Sequence, residues 1–373
     1  MIPPQKISFT EEDIANIADK ISDIIRKGQL SQGQYVDSLE KAFAEFVGVK
    51  YAVACNSGSS ALEICARSLD VAGKEVLVST NTFLATASSI LMAGGSIKLL
   101  DVDDATFSPS LEHIIKKWSP NTVGVIVVHI GGIITPEIQD IRNWCRDHGI
   151  WLLEDCAHAH GSSIEGRFAG SFGDAGCYSF FATKVMTTGE GGMIVTDNEK
   201  IADMARLLRN HGKPEPWVSI HTHLGSNWRM NEISAIIGLS QLSHLHEYVL
   251  AREARAKIYD ELLKNRLPIL KPIRNQSSSG YKYIVMPSTT IDREKLKTLM
   301  KSQGVGLPGE VYSVPLHKQP VFKDHFTDEN DLFPISDRIC DQHFCLPIYP
   351  ELTTDEIYQV VDALEKAVEL SIP

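Results

Sequence analysis

The residues most able to do chemistry lie between Asp155 and Gly192. An apolar run, Ile150-Trp151-Leu152-Leu153, leads into Glu154 and Asp155, which puts a carboxylate at the end of a predicted strand. Further on, Ser179-Phe180-Phe181-Ala182-Thr183-Lys184 sets a hydroxyl and an amine ahead of the glycine run Gly189-Glu190-Gly191-Gly192. A lysine amine can condense with a carbonyl cofactor. An aspartate can keep a pyridine nitrogen protonated, which makes the ring an electron sink. Together these residues suggest a pyridoxal phosphate pocket, with Lys184 as the Schiff-base amine and Asp155 facing the ring nitrogen.

Those groups need a scaffold, and the hydrophobic pattern supplies one. Continuous apolar runs occur at 51–55, 76–79, 97–101, 123–129, 150–155 and 193–196. Most are followed by a helical pattern, over about 61–66, 83–93, 109–117, 136–148 and 198–209. Strands that are apolar throughout rather than alternating indicate a mostly parallel sheet covered by helices on both faces. Ligands of such sheets bind beyond the C-terminal strand ends, where Asn81, Thr82, His129 and Asp155 fall. The turn Asn56-Ser57-Gly58-Ser59-Ser60 joins a strand to a helix and could cradle a phosphate on free backbone N–H groups. The same serines would also serve as an ordinary helix cap with no ligand.

Helices are predicted over 11–27, started by Thr10 and Asp13, and over 35–47. Residues 210–232 read as irregular, and a long helical region covers about 231–264. His211, His221 and His223 read as loop residues, not as a metal site. Lys271 to Gly280 reads as a linker, Tyr281 to Met286 as a strand, and 292–303 and 353–369 as helices of a smaller α+β unit. The expected division is a large α/β cofactor domain at 1–243, then a connecting helix with a small domain at 244–373.

The 373-residue chain carries a net charge of -11, which disfavours nucleic acid or an anionic membrane as partner. No apolar stretch is long enough for a membrane helix, and Met1 to Lys6 lacks the apolar core of a signal peptide. The seven cysteines are odd in number and show no Cys-x-x-Cys, so neither a disulfide framework nor a zinc site is expected. Cys156 and Cys177 read as small core residues, and reduced thiols suit a cytoplasmic protein. Gly170, Gly173 and Gly176 have the wrong spacing for a dinucleotide fingerprint, and Walker A and Gly-x-Ser-x-Gly motifs are absent.

Nine segments, in order, resemble the pyridoxal phosphate-dependent sugar aminotransferases of the DegT family, which are fold type I enzymes. They are Ser57–Leu62, Thr82–Thr86, Glu154–Gly161, Gly170–Gly176, Ser179–Lys184, Gly189–Gly192, Leu208–Gly212, Asn227–Met230 and Val314–His317. The resemblance spans about residues 25 to 370. It assigns Lys184 to the Schiff base, Asp155 to the ring nitrogen, and Gly58, Ser59 and Ser179 to the phosphate. It assigns Phe83 to the ring face, a role that a core phenylalanine could share. Asn227 would reach the phosphate of the other subunit, implying a homodimer with shared active sites.

Two departures stand out. His158 occupies the place of a glutamine that bonds the cofactor's phenolic oxygen, a role an imidazole can fill. His129-Ile130-Gly131-Gly132 replaces a His-x-Tyr-Gly pattern. The resemblance implies ping-pong transfer of an amino group from L-glutamate to a keto-sugar for cell-surface polysaccharide (lipopolysaccharide among them) or antibiotic sugars. A related sugar dehydratase would carry histidine in place of Lys184. A non-catalytic regulator of the same fold would not need the Lys184–Asp155 pair.

Overall fold

The apolar runs pair into one sheet. The structure is a computed structural model that describes residues 1–215, 217–264, 276–287, 289–323, 325 and 332–372. The sheet strands are β1 (Tyr51–Cys55), β2 (Glu75–Ser79), β3 (Ser96–Leu100), β4 (Thr122–Val128) and β5 (Trp151–Asp155). After the small hairpin of β6 (Ser163–Ile164) and β7 (Arg167–Phe168), β8 (Ala175–Ser179) and β9 (Gly192–Thr196) complete it. The order across the sheet is β1-β9-β8-β5-β4-β2-β3. Only β9 runs against its neighbours, β1 and β8. The mostly parallel sheet with helices on both faces is the expected α/β architecture.

Each strand buries alternate residues on opposite faces, which explains the unbroken apolar runs. Leu77, Val125 and Leu152 pack on one side with Leu39 and Phe43 of α2 (Gln34–Val47), which follows α1 (Glu11–Lys27). Val76, Val78, Ile126 and Leu153 pack on the other with α3 (Gly58–Ser68) and α4 (Leu84–Met92). The connections α5 (Leu111–Lys117) and α6 (Ile138–Asp147) continue the βα pattern, and α7 (Glu199–Arg209) returns from β9. Thr10 and Asp13 form the expected capping box of α1.

The long α8 (Glu232–Leu263) starts with a device the sequence pattern did not reveal. Gly33, at the start of α2, has no side chain to cap that helix. The buried Glu232 carboxylate does so instead, accepting from the N–H groups of Gly33 (3.0 Å), Tyr35 (2.9 Å) and Val36 (3.0 Å).

The C-terminal part has its own apolar cluster, which includes Tyr259, Tyr283, Leu296, Val360 and Leu364. It contains the antiparallel pair β11 (Tyr283–Val285) and β12 (Phe344–Leu346), with α9 (Arg293–Ser302), α10 (Pro334–Gln342) and α11 (Thr354–Ser371). Three expectations change here. The strand predicted over Tyr281–Met286 shortens to β11, which releases Tyr281 and Lys282 as loop residues. Gln276 and Ser277, read as linker, pair with β6 as β10 (Gln276–Ser277), while 271–275 lie outside the described residues. The apolar run after Gly58 starts its helix at Gly58 rather than Ala61, because Ser57 is the cap.

Candidate active site

The site forms where β1, β5 and β8 end. Asp155 closes β5 and is buried, at 4% exposed. Its Oδ2 accepts from the Thr86 hydroxyl at 2.8 Å and its Oδ1 from the Ala157 N–H at 3.1 Å. Burial pushes its pKa up, while these two donors and the charge of Lys184 pull the other way. A cation placed against this carboxylate would relieve the cost of burying it.

Lys184 sits in the loop that returns from β8 to its antiparallel neighbour β9. The Phe180 N–H bonds to the Gly191 carbonyl at 2.8 Å, and the Lys184 N–H bonds to the Phe181 carbonyl at 2.9 Å, which fixes the turn. Burial lowers the Lys184 pKa to about 8; Asp155 opposes the shift and Lys282 reinforces it. The amine is therefore partly neutral near physiological pH, as a nucleophile must be. Its Nζ lies 4.8 Å from the centroid of the Tyr281 ring.

The N-terminus of α3 meets β8 at close range. The Ser57 hydroxyl accepts from the Ser60 N–H at 3.1 Å, leaving the first-turn N–H groups of Gly58 and Ser59 without an acceptor inside the helix. A Cβ on Gly58 would stand 2.7 Å from the Ser179 Cβ, and one on Gly192 would stand 2.2 Å from the Ser57 carbonyl oxygen. Glycine at both places lets three segments converge on one spot beside the helix N-terminus.

One cavity of about 410 Å³ connects these groups. Gly58, Ser59, Phe83, Asp155, Ser179 and Lys184 all line it, and so does His158. His158 is buried, and burial holds its pKa well below the ordinary value, so its ring is neutral. Its Nδ1 accepts from the Gly131 N–H at 3.4 Å, which leaves the proton on Nε2, 3.3 Å from the Tyr312 hydroxyl. Neutral and with an N–H on Nε2, His158 has the hydrogen-bonding capacity of an amide donor. Phe83 is 56% exposed and faces the cavity instead of the core.

The eighth predicted residue is elsewhere. Asn227 is exposed and does not line the cavity of its own chain; its carbonyl accepts from Asn56 Nδ2 at 3.3 Å. Of the four strand-end residues, only Asp155 lines the cavity. Asn81 accepts from the Cys340 thiol, Thr82 bonds Thr86, and His129 Nε2 bonds Glu154 Oε2 at 2.9 Å. His129, Glu154 and Cys156 bring ligand-type atoms within 4.8 Å of one another. However, both Glu154 oxygens already accept backbone N–H groups, from Gly170, Phe172 and Gly173. That trio holds a loop rather than offering free lone pairs. Cys177, expected only as core, also borders the cavity.

Thr86, Tyr281 and Tyr312 were missed as site residues. Thr86 lies in one of the nine segments, so its hydroxyl, one helical turn after Thr82, was the available signal. The two tyrosines had none, because they arrive from the C-terminal part.

The arrangement fits pyridoxal phosphate: uncapped N–H donors and hydroxyls for a phosphate, a buried carboxylate for a ring cation, and an amine with a lowered pKa in the same cavity. The comparisons agree. The DegT/DnrJ/EryC1/StrS aminotransferase family model matches residues 11–365. A UDP-N-acetyl-3-dehydro-alpha-D-glucosamine 3-aminotransferase of Acidithiobacillus ferrooxidans is 32% identical, with 93% of this chain and 92% of the relative covered. GDP-perosamine synthase of Vibrio cholerae is 30% identical, with 92% and 94% covered. The structure of S. venezuelae DesV in complex with a ketimine intermediate superposes with a TM-score of 0.91 at 25% identity, with 99% and 98% covered. The chain belongs to the DegT/DnrJ/EryC1/StrS family of sugar aminotransferases, and is a pyridoxal phosphate-dependent aminotransferase.

Proposed function

We propose that this enzyme moves an amino group from L-glutamate to a keto-sugar, nucleotide-linked or of the keto-octulosonate type. The observation that carries the reading is the meeting of Lys184, Asp155 and the α3 N-terminus in one cavity, in a chain similar to enzymes named for amino-sugar products. Bound pyridoxal phosphate supplies a carbonyl that takes up the amino group and an electron sink for the pair left on the α-carbon when its proton departs.

This chain's residues do the rest. Gly58, Ser59 and Ser179 would hold the phosphate, Phe83 the ring face and His158 the phenolic oxygen. Asp155, kept in place by Thr86 and Ala157, would keep the ring nitrogen protonated. Lys184 would carry the cofactor and, once released, take the proton from the donor's α-carbon and return it at the neighbouring carbon. That shuttle needs a neutral amine, which burial favours at this site.

We also propose a homodimer with shared sites, in which Asn227 serves the partner's phosphate. The exposed apolar side chains of Trp217, Ile220 and Leu224, 79%, 67% and 90% accessible in the same loop, suit burial against a second copy. The working division is a cofactor domain at 1–243 and a smaller unit at 244–373. All seven cysteines are free and buried, which suits a reducing compartment such as the cytoplasm. No helix among the described residues is long and apolar enough to cross a membrane. The products would serve cell-surface polysaccharide or antibiotic sugars.

The test is turnover of purified holoenzyme with L-glutamate against a panel of keto-sugars. Formation of 2-oxoglutarate in step with an amino sugar supports the reading. Water loss from the sugar without net amino transfer would instead assign a dehydratase.

A further inference from the structure

Beside Lys184 the cavity adjoins a second, smaller crevice. One side is the N-terminal segment Pro4 to Ile7; the other includes Thr183, Lys184, Arg252, Tyr281 and Lys282. Among the described residues its charged side chains are all cations (Lys184, Arg252 and Lys282, with the exposed Lys6 at the edge), and no aspartate or glutamate lines it.

The two inner cations donate hydrogen bonds only to neutral groups; Glu351 acts on Arg252 and Glu310 on Lys282 through charge, and neither acid lines the crevice. Arg252 is 7% exposed, and its Nη1 donates to the carbonyls of Gly280 (3.1 Å) and Ile348 (2.8 Å). Its Nε is buried with no hydrogen-bond partner among the described residues. Lys282 Nζ donates to the Pro308 carbonyl at 3.0 Å and lies 5.6 Å from the Tyr281 ring centroid, the same ring that Lys184 approaches. Carbonyl dipoles satisfy hydrogen-bonding geometry but do not neutralise buried positive charge. Burial accordingly lowers the pKa of Lys282 and brings that of Arg252 down to about 10. Clustered cations, an orphaned guanidinium N–H and no acid lining the crevice favour an anion.

Size narrows the choice. The free volume of the crevice is about 10 Å³, room for roughly one oxygen atom. A phosphate or sulfate is too large, whereas one carboxylate oxygen fits. Thr183, Lys184 and Tyr281 line both the crevice and the main cavity, so a carboxylate entering here stays next to the Lys184 amine.

We propose that this crevice is the carboxylate subsite for the amino donor, with Lys282 as its main anchor and Arg252 as the second donor. The inference rests on the reading that the amino group comes from an amino acid. In such a donor the carboxylate is one bond from the α-carbon on which Lys184 acts, so the charge pair also orients the C–H bond. Lys282 also faces Glu310, Cys345 and Arg252, and Lys184 faces Asp155, His158 and His160, so the variants below are compared at one fixed pH.

The experiment follows the half-reaction of the holoenzyme by the absorbance of bound cofactor while L-glutamate is varied. Lys282→Met should raise half-saturating glutamate at least about tenfold, with the limiting rate within about threefold of wild type. Lys282→Arg should restore half-saturation, and half-saturation by the keto-sugar acceptor should not move in either variant. Acetate should inhibit wild type in competition with the donor and lose that effect in Lys282→Met. Lys282→Gln gives the same reading if the Met variant does not fold. Unchanged half-saturation with retained acetate inhibition overturns the subsite. So does a fall in limiting rate alone, which would assign Lys282 to the Lys184 environment instead. If wild type accepts another amino acid but not glutamate, the donor reading fails, and the same comparison with that amino acid still tests the subsite.

Discussion

The two walls of the active-site cavity are built in different ways. One wall is sheet. Asp155 closes β5, Ser179 closes β8, α3 follows β1, and ladder hydrogen bonds fix the distances between them. The other wall is a row of rings from separate segments. Phe83 and Tyr312 have centroids 6.3 Å apart, Tyr312 and His158 5.8 Å, and His158 and Tyr281 4.3 Å. The sheet wall holds charged and anion-binding groups that tolerate little displacement. The ring wall is held by stacking and by a few hydrogen bonds, among them Gly131 N–H to His158 and Tyr281 N–H to the Ser279 hydroxyl, and belongs to no strand of the large sheet. On the proposed roles, the acid and the phosphate donors come from the sheet wall, while the ring wall, beyond Phe83 and His158, is where substrate choice can be tested.

Breaking the sheet wall should cost the most. Lys184→Ala should lower transamination by at least about a thousandfold, since both the covalent anchor and the proton shuttle go. Borohydride treatment of wild type should fix the cofactor on the peptide that contains Lys184; labelling of another lysine would reject the assignment. Asp155→Asn should still bind cofactor but slow the glutamate half-reaction about a hundredfold, measured by single-turnover absorbance. A rate near wild type would remove Asp155 from its role.

The comparison sharpens if the sheet wall includes the partner. Lys184→Ala and Asn227→Ala subunits, mixed, should form heterodimers with one intact site when Asn227 serves the neighbour. Activity should then rise well above that of either homodimer. No rise, with heterodimers demonstrated, would confine Asn227 to its own chain.

Smaller effects follow from pH and from the edge of the wall. The Lys184 pKa lies below its ordinary value of 10.5, at about 8. The amine is therefore mostly protonated below pH 8 and mostly free above it. Cofactor loading of the apoprotein should rise about tenfold from pH 7 to 9 with its midpoint near 8. A midpoint near 10 would show that burial does not act on this amine. Thr86→Val removes one donor to Asp155 and should slow the half-reaction about three- to tenfold, equivalent to one hydrogen bond of about 1 kcal/mol. On the ring wall, Tyr312→Phe should leave the glutamate half-reaction within about threefold while changing preference among keto-sugars.

The same contrast explains what could be read in advance. The strands, the α1 capping box and the helices flanking the sheet follow from short-range pattern, because burial on both faces demands continuous apolar runs and Thr10 with Asp13 satisfies a helix end locally. Asp155, Ser179, Gly58 and Ser59 could be placed on the cavity because each is tied to a strand end or helix start, and Lys184 because it follows Ser179 in the short return to β9. His129 misled for the same reason: it stands at a strand end, yet the buried Glu154 behind it takes its Nε2. Tyr281 was hidden in what looked like a strand.

By itself, then, the sequence determined the sheet, the order of its helices and the identity of the chemical groups, since these depend on neighbours within a few residues. Tertiary structure alone decided that Thr86 steadies Asp155, that His158 stacks on Tyr281 and that Glu232 caps α2. It also decided that Arg252 and Lys282 gather beside Lys184 in a crevice that no acid among the described residues lines. Each of these links residues far apart in the chain, and no local periodicity records which distant side chain will fill the space or balance the charge.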